Sequence, residues 1–112
     1  MSKVKALFAA AGRQYKAVEV AGGTVYIGKL SIADREKYTA VINESWNRAM
    51  AIIVQCCTYD DDVGTRAFGD SVDELDAIMQ APQEIIDKLA NEIRVFNGVG
   101  IDSDPVKDAA KN

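Results

Sequence analysis

The feature that most limits this chain is a pair of alternating runs around a double glycine. Tyr15-Lys16-Ala17-Val18-Glu19-Val20 sets Val18 and Val20 on one face and Ala17 and Ala21 on the other. After Gly22-Gly23 comes Thr24-Val25-Tyr26-Ile27-Gly28-Lys29, rich in the β-branched and aromatic residues that suit a strand. Glycine reaches the positive φ that a tight hairpin needs, so Gly22-Gly23 is the expected corner. A two-stranded hairpin is barely stable alone in water. Its apolar face needs helices against it, or a strand from a second chain beside it.

Helical patterns supply that cover. Ser2 can cap a short helix ending at Gly12, with Val4, Leu7 and Phe8 on one face. Such a helix is marginal alone and must dock on something. Ser31 and Asp34 open a helix expected to run through Tyr38, Val41 and Ile42. Residues 46–57 read as a third helix, apolar around most of its circumference and hence the buried central element. Glu44, Asn47, Arg48, Ala51 and Gln55 form its expected polar side. Tyr59 to Gly64 makes a turn, and Thr65-Arg66-Ala67-Phe68 an extended piece. Ser71 and Glu74 form an expected capping box before Leu75, Ile78 and Met79. Pro82 opens the last helix, Ile85, Ile86, Leu89, Ile93 and Phe96 give its stripe, and Asn97-Gly98 ends it.

The expected fold class is therefore α+β: an N-terminal β-hairpin packed with a helical bundle of about four to five short helices. Residues 1–101 form one domain and residues 102–112 a flexible polar tail. Composition agrees. Hydrophobic residues make up 48% of the 112 positions, but sixteen are alanine and aromatics are only 7%. Close helix packing through alanine fits that supply, and a partner chain can complete part of the apolar surface.

Charge and residue types exclude several functions. The net charge is −4 with no basic run, whereas nucleic-acid binding needs a basic footprint. No apolar run approaches the ~18 residues of a membrane span, and Met1-Ser2-Lys3-Val4-Lys5 lacks a signal core, so a cytoplasmic location is expected. There is no histidine, which removes the commonest general base and metal ligand. Cys56 and Cys57 are adjacent and read as small buried hydrophobes. Asp60-Asp61-Asp62-Val63-Gly64 fails the calcium-loop spacing, because the sixth position is Thr65 and the twelfth Ser71. No catalytic, metal or cofactor residues are expected. Trp46 is expected in the core, with an interface anchor as the alternative. Candidate partner-binding surfaces are the Val4-Leu7-Phe8 face and the Ile85-Leu89-Ile93 face, if left uncovered.

The order of these pieces resembles the tail assembly chaperones of lambda-like and related long-tailed phages (siphophages) and prophages. The residues that carry it are Tyr15 to Val20 with the glycine turn, then Val25-Tyr26-Ile27-Gly28-Lys29-Leu30-Ser31-Ile32-Ala33-Asp34-Arg35-Glu36. The family's strand reads valine-x-valine-x-x-leucine-threonine before an acid-rich helix start, and Ser31 stands for the threonine. Asp60 to Phe68 resembles the family's acidic stretch before glycine, with one extra residue between acids and glycine. Ile93-Arg94-Val95-Phe96-Asn97-Gly98 resembles its closing leucine-asparagine-glycine. Each motif is a cap, a turn or a core position, so order and spacing carry the resemblance. It implies a non-enzymatic protein of the host cytoplasm, absent from the mature virion. The implied partners are the tape-measure protein, the tail-tube protein and further copies of the chain itself. It also implies a longer form made by ribosomal frameshifting, with which the codons for Ala110-Lys111-Asn112 are compatible. The alternatives are a tail-completion or connector protein and a generic interaction module.

Overall fold

The structure, a computed structural model, describes residues 2–99. The expected tail, residues 102–112, lies outside the described residues. The chain is α+β, as the pattern predicts. Its elements are α1 (Lys3–Ala11), β1 (Lys16–Val20), β2 (Gly23–Ile27), α2 (Ile32–Thr39), α3 (Trp46–Cys57), β3 (Thr58–Tyr59), α4 (Val72–Met79) and α5 (Gln83–Phe96).

The hairpin forms with its corner one residue earlier than expected. Ala21 and Gly22 take the positive φ values, 52° and 80°, and Gly23 becomes the first residue of β2, opposite Val20. Left-handed backbone disfavours alanine by about 1 kcal/mol. This register puts Glu19 opposite Thr24, whose hydroxyl donates to the Glu19 carboxylate. It also pairs Val18 with Val25 on the face that carries Ile27. A third strand, β3, was not expected. It pairs antiparallel with β2 through Tyr26↔Tyr59 and Ile27↔Thr58, giving the order β1-β2-β3. One edge of the hairpin is thus covered from within the chain, where a strand from a second chain was one of the expected covers.

Serines start four of the helices. Ser2, Ser31, Ser45 and Ser71 each accept a hydrogen bond from an amide three residues on. The box at Ser31 is complete, because Asp34 also accepts from the Ser31 amide. Helix α2 stops at Thr39, short of Val41 and Ile42. The Thr39 hydroxyl donates to the Arg35 carbonyl at 2.7 Å, and the backbone then tightens into turns that reach Ser45.

Helix α3 is the centre of the molecule. It packs against α2, α4 and α5, while α5 packs on β1 and β2. Every residue from Ala49 to Cys57 is buried, including Ala51 and Gln55 from the expected polar side. Gln55 is covered because its amide donates to the carbonyls of Gly69 (2.8 Å) and Ser71 (3.0 Å). Arg66 returns to the Gln55 carbonyl at 2.9 Å and to Asp70 at 2.7 Å. The segment after β3 is thereby strapped across α3.

Asn97 joins the two ends of the domain. Its carboxamide accepts from the Leu30 amide at 2.8 Å and donates to the Gly28 carbonyl at 3.1 Å. It also donates to the Ile93 carbonyl at 2.8 Å. Lys29 donates to the Phe96 carbonyl at 2.8 Å with its ammonium 4.0 Å from the Phe96 ring centroid. A cation at a helix C-terminus complements the partial negative charge there. Gly98 then takes φ 71°, and the Val99 and Gly98 amides donate to the Arg94 and Val95 carbonyls. These two bonds make a full left-handed cap, as Asn97-Gly98 predicts.

Candidate functional site

Apolar side chains reach the surface at several places. The first is α1. None of its residues is buried, and Phe8 is 75% exposed with Val4 and Leu7 beside it. The expected docking of this helix is therefore not made within one chain. Ser2 starts it and Gly12 ends it, so the element is well delimited but unsupported by packing.

The second is a groove between α3 and α5, continued beside α4. It has two adjoining cavities of about 250 Å³ and 300 Å³. Gln83 and Asp87 line both. Met50, Ala51, Ile78, Ile86 and Ala90 supply apolar walls, and Trp46 and Met79 stand at opposite ends. A hydrogen bond of 3.1 Å from Gln83 to Asn47 crosses between the cavities. Methionine adapts its shape easily, which suits a surface that receives apolar side chains.

Trp46 is a correction. It is 46% exposed rather than in the core. It lies in the first turn of α3, ahead of the buried stretch that begins at Ala49. Its ring faces the Arg94 guanidinium, 5.2 Å from the ring centroid. The Ile85-Leu89-Ile93 face is also corrected. Leu89 and Ile93 are buried, so that part of the stripe is the seat of α5, while Ile85 is half-buried and borders a separate cavity of about 310 Å³ with Val20, Ala21, Glu84 and Lys88. Of the seven predicted contact residues, Val4, Leu7, Phe8 and Trp46 are exposed. The structure does not bring Trp46 together with α1. Reasoning from sequence missed Met50, Met79 and Asp87. The period of α4 grouped Met79 with Leu75 and Ile78, and only the packing shows that it stands at the groove.

The polar clusters are structural. Asp61 accepts from the Val63 and Thr65 amides, and hydrogen bonding from Thr65 above all holds its carboxyl below the usual range. Arg66 likewise holds Asp70 low. Among the described residues, no group of three or more His, Cys, Asp or Glu is arranged to hold a metal ion. Burial pushes the Cys56 thiol up to about 12, with Asp34 adding to the effect, and burial raises Cys57 as well. A thiol is a poor nucleophile until ionised. Among the described residues, no helix is long and apolar enough to cross a membrane.

What the geometry offers is a shallow groove of mixed polar and apolar lining, with Trp46 and Met79 exposed beside it. Comparison with known families, with curated proteins and with solved structures finds no match to this chain.

Proposed function

We propose that this chain is a tail assembly chaperone of a long-tailed bacteriophage or prophage. In this reading it binds the tape-measure protein in the host cytoplasm, helps recruit tail-tube subunits, and leaves before the virion is complete. The role is non-enzymatic. The observation that carries the reading is the α3–α5 groove, with half-exposed Trp46 at one end and Met79 at the other. An amphipathic helix laid in such a groove buries apolar anchors spaced at i, i+3, i+4 and i+7. A long helical client offers many such stripes. The motif order described above supplies the choice of client.

The test is co-expression of the full chain with the long helix-rich protein encoded beside it. The client should stay in the supernatant with the chain present and precipitate without it. Trp46→Ala should weaken the complex at least tenfold while the variant keeps its circular dichroism. A client equally soluble alone, or equally well bound by the variant, would overturn the reading. Binding should also persist from low to moderate salt, since little counterion release accompanies an apolar contact.

A further inference from the structure

We propose that α1 of one copy of this chain lies in the α3–α5 groove of a second copy. The argument starts from α1 itself. It has nine residues and buries none of them. Isolated helices shorter than roughly 12–15 residues are marginal in water, so α1 needs a partner surface. Its Val4, Leu7 and Phe8 form one stripe, and Ala11 continues it at the next turn.

Charge selects the partner. Residues 1–13 contain Lys3, Lys5 and Arg13 and no acid. The rest of the chain carries 17 acids against 10 cations. The arm is basic and the body acidic, although the whole chain is acidic. The charged lining of the groove is Asp87, exposed on α5 and bordering both halves, and Arg94, largely buried under Trp46; Asp87 is the group that can meet Lys3 or Lys5 beside the apolar stripe. Size agrees as well. A nine-residue helix is about 14 Å long, and the stretch of α5 from Gln83 to Arg94 that lines the groove spans about 16 Å.

Geometry selects a second copy over the chain's own groove. Lys16, at the start of β1, ion-pairs with Glu92 of α5 at 3.6 Å. At about 100° per residue, Glu92 lies on the opposite side of α5 from Gln83, Asp87 and Arg94. Four residues, Gly12 to Tyr15, separate α1 from β1. The five Cα steps from Ala11 to Lys16 span at most about 18 Å, and passing half-way round a helix about 10 Å wide uses nearly all of it. The arm of a neighbour meets no such obstacle. Each copy thus presents one arm and one groove. The arm and a client helix would compete for this one groove, whatever the identity of the client.

Sedimentation velocity on the full chain at tens of micromolar tests it. The wild type should sediment as a dimer or larger. The arm variant Leu7→Asp/Phe8→Asp and the groove variant Met79→Asp should each sediment as monomers with unchanged circular dichroism. Mixed one to one, they should form a heterodimer and nothing larger, because only one intact arm and one intact groove remain. A second groove variant, Asp87→Lys, alters an exposed position at the groove. It should also lose assembly, and Lys3→Glu/Lys5→Glu in the same chain should restore it. A monomeric wild type would overturn the proposal. So would a groove variant that assembles normally, which would mean arm pairing with arm, or a mixture that stays monomeric.

Discussion

Helices α1 and α3 are built from similar material and end in opposite surroundings. Each is capped by a serine hydroxyl, each mixes alanine with large apolar residues, and neither has an acid in its first turn or a base in its last. Helix α3 buries nine consecutive residues and α1 buries none. Apolar content alone therefore does not place a helix. Helix α3 has apolar residues all round and neighbours on several sides, namely α2, α4 and α5. Helix α1 has one narrow stripe and a four-residue link to a strand whose inner face α5 already covers. What distinguishes them is supply of partner surface.

The largest expected effect lies in α3. Ile53 is fully buried, and Ile53→Ala should cost about 2–5 kcal/mol in urea unfolding by leaving a cavity. A loss below 1 kcal/mol would mean α3 is not the packing centre. Next comes the joint that holds α5 to the sheet. Asn97→Ala strands the Leu30 amide and the Gly28 carbonyl in part-buried positions and should cost about 1–3 kcal/mol. Asn97→Asp keeps the acceptor for Leu30 but sets a carboxylate against two carbonyls, so it should be no better than alanine. Equal stability of Asn97→Asp and the wild type would show that the donor half of the joint is idle.

An effect of similar size to that of Asn97→Ala distinguishes α3 by pH. The cysteines of α3 stay protonated in the folded chain far above the ordinary thiol value, mainly through burial. Once the unfolded chain ionises its thiols, it binds fewer protons than the native state, and stability falls as pH rises. The slope approaches about 1.4 kcal/mol per pH unit for each thiol. Urea midpoints should drop between pH 8 and pH 10, and Cys56→Ala should flatten the drop. A midpoint that does not move, or moves equally in Cys56→Ala, would contradict the buried-thiol account. The smallest effect belongs to α1. Leu7→Ala should change the stability of the monomer by less than about 0.5 kcal/mol, measured at a concentration low enough to dissociate any assembly. A loss comparable to that of Ile53→Ala would show that α1 is docked within its own chain.

Much of this was legible beforehand. Three helix starts were readable from Ser2, Ser31 and Ser71 and the last from Pro82, α3 was readable from its apolar pattern alone, and Asn97-Gly98 was readable as a stop because a left-handed residue there favours glycine. The corner of the hairpin was not. Gly22-Gly23 satisfies the turn on its own, yet pairing Glu19 with Thr24 moves the corner back to Ala21-Gly22. Strand β3 was illegible because it follows α3 without a break and has only two residues. Gln55 looked polar and exposed until the Gly69 and Ser71 carbonyls, far along the chain, supplied its partners. Trp46 failed for a different reason. A periodic pattern gives a side of the helix, but it does not tell where along the helix the neighbours stop. In each case a contact distant in sequence decided, and local pattern carries no record of it.

The bonds from Asn97 to Gly28 and Leu30 close the chain across more than sixty residues. That places a demand on the order of synthesis. The hairpin and α3 leave the ribosome first, yet the residues that seal them together come near the end of the domain. Until α5 has emerged, the α3 surface on which it packs has no partner within the nascent chain. Non-local closure of this kind slows folding and lengthens the time that apolar surface stays open. A chain with this wiring begins its own life with its central helix uncovered.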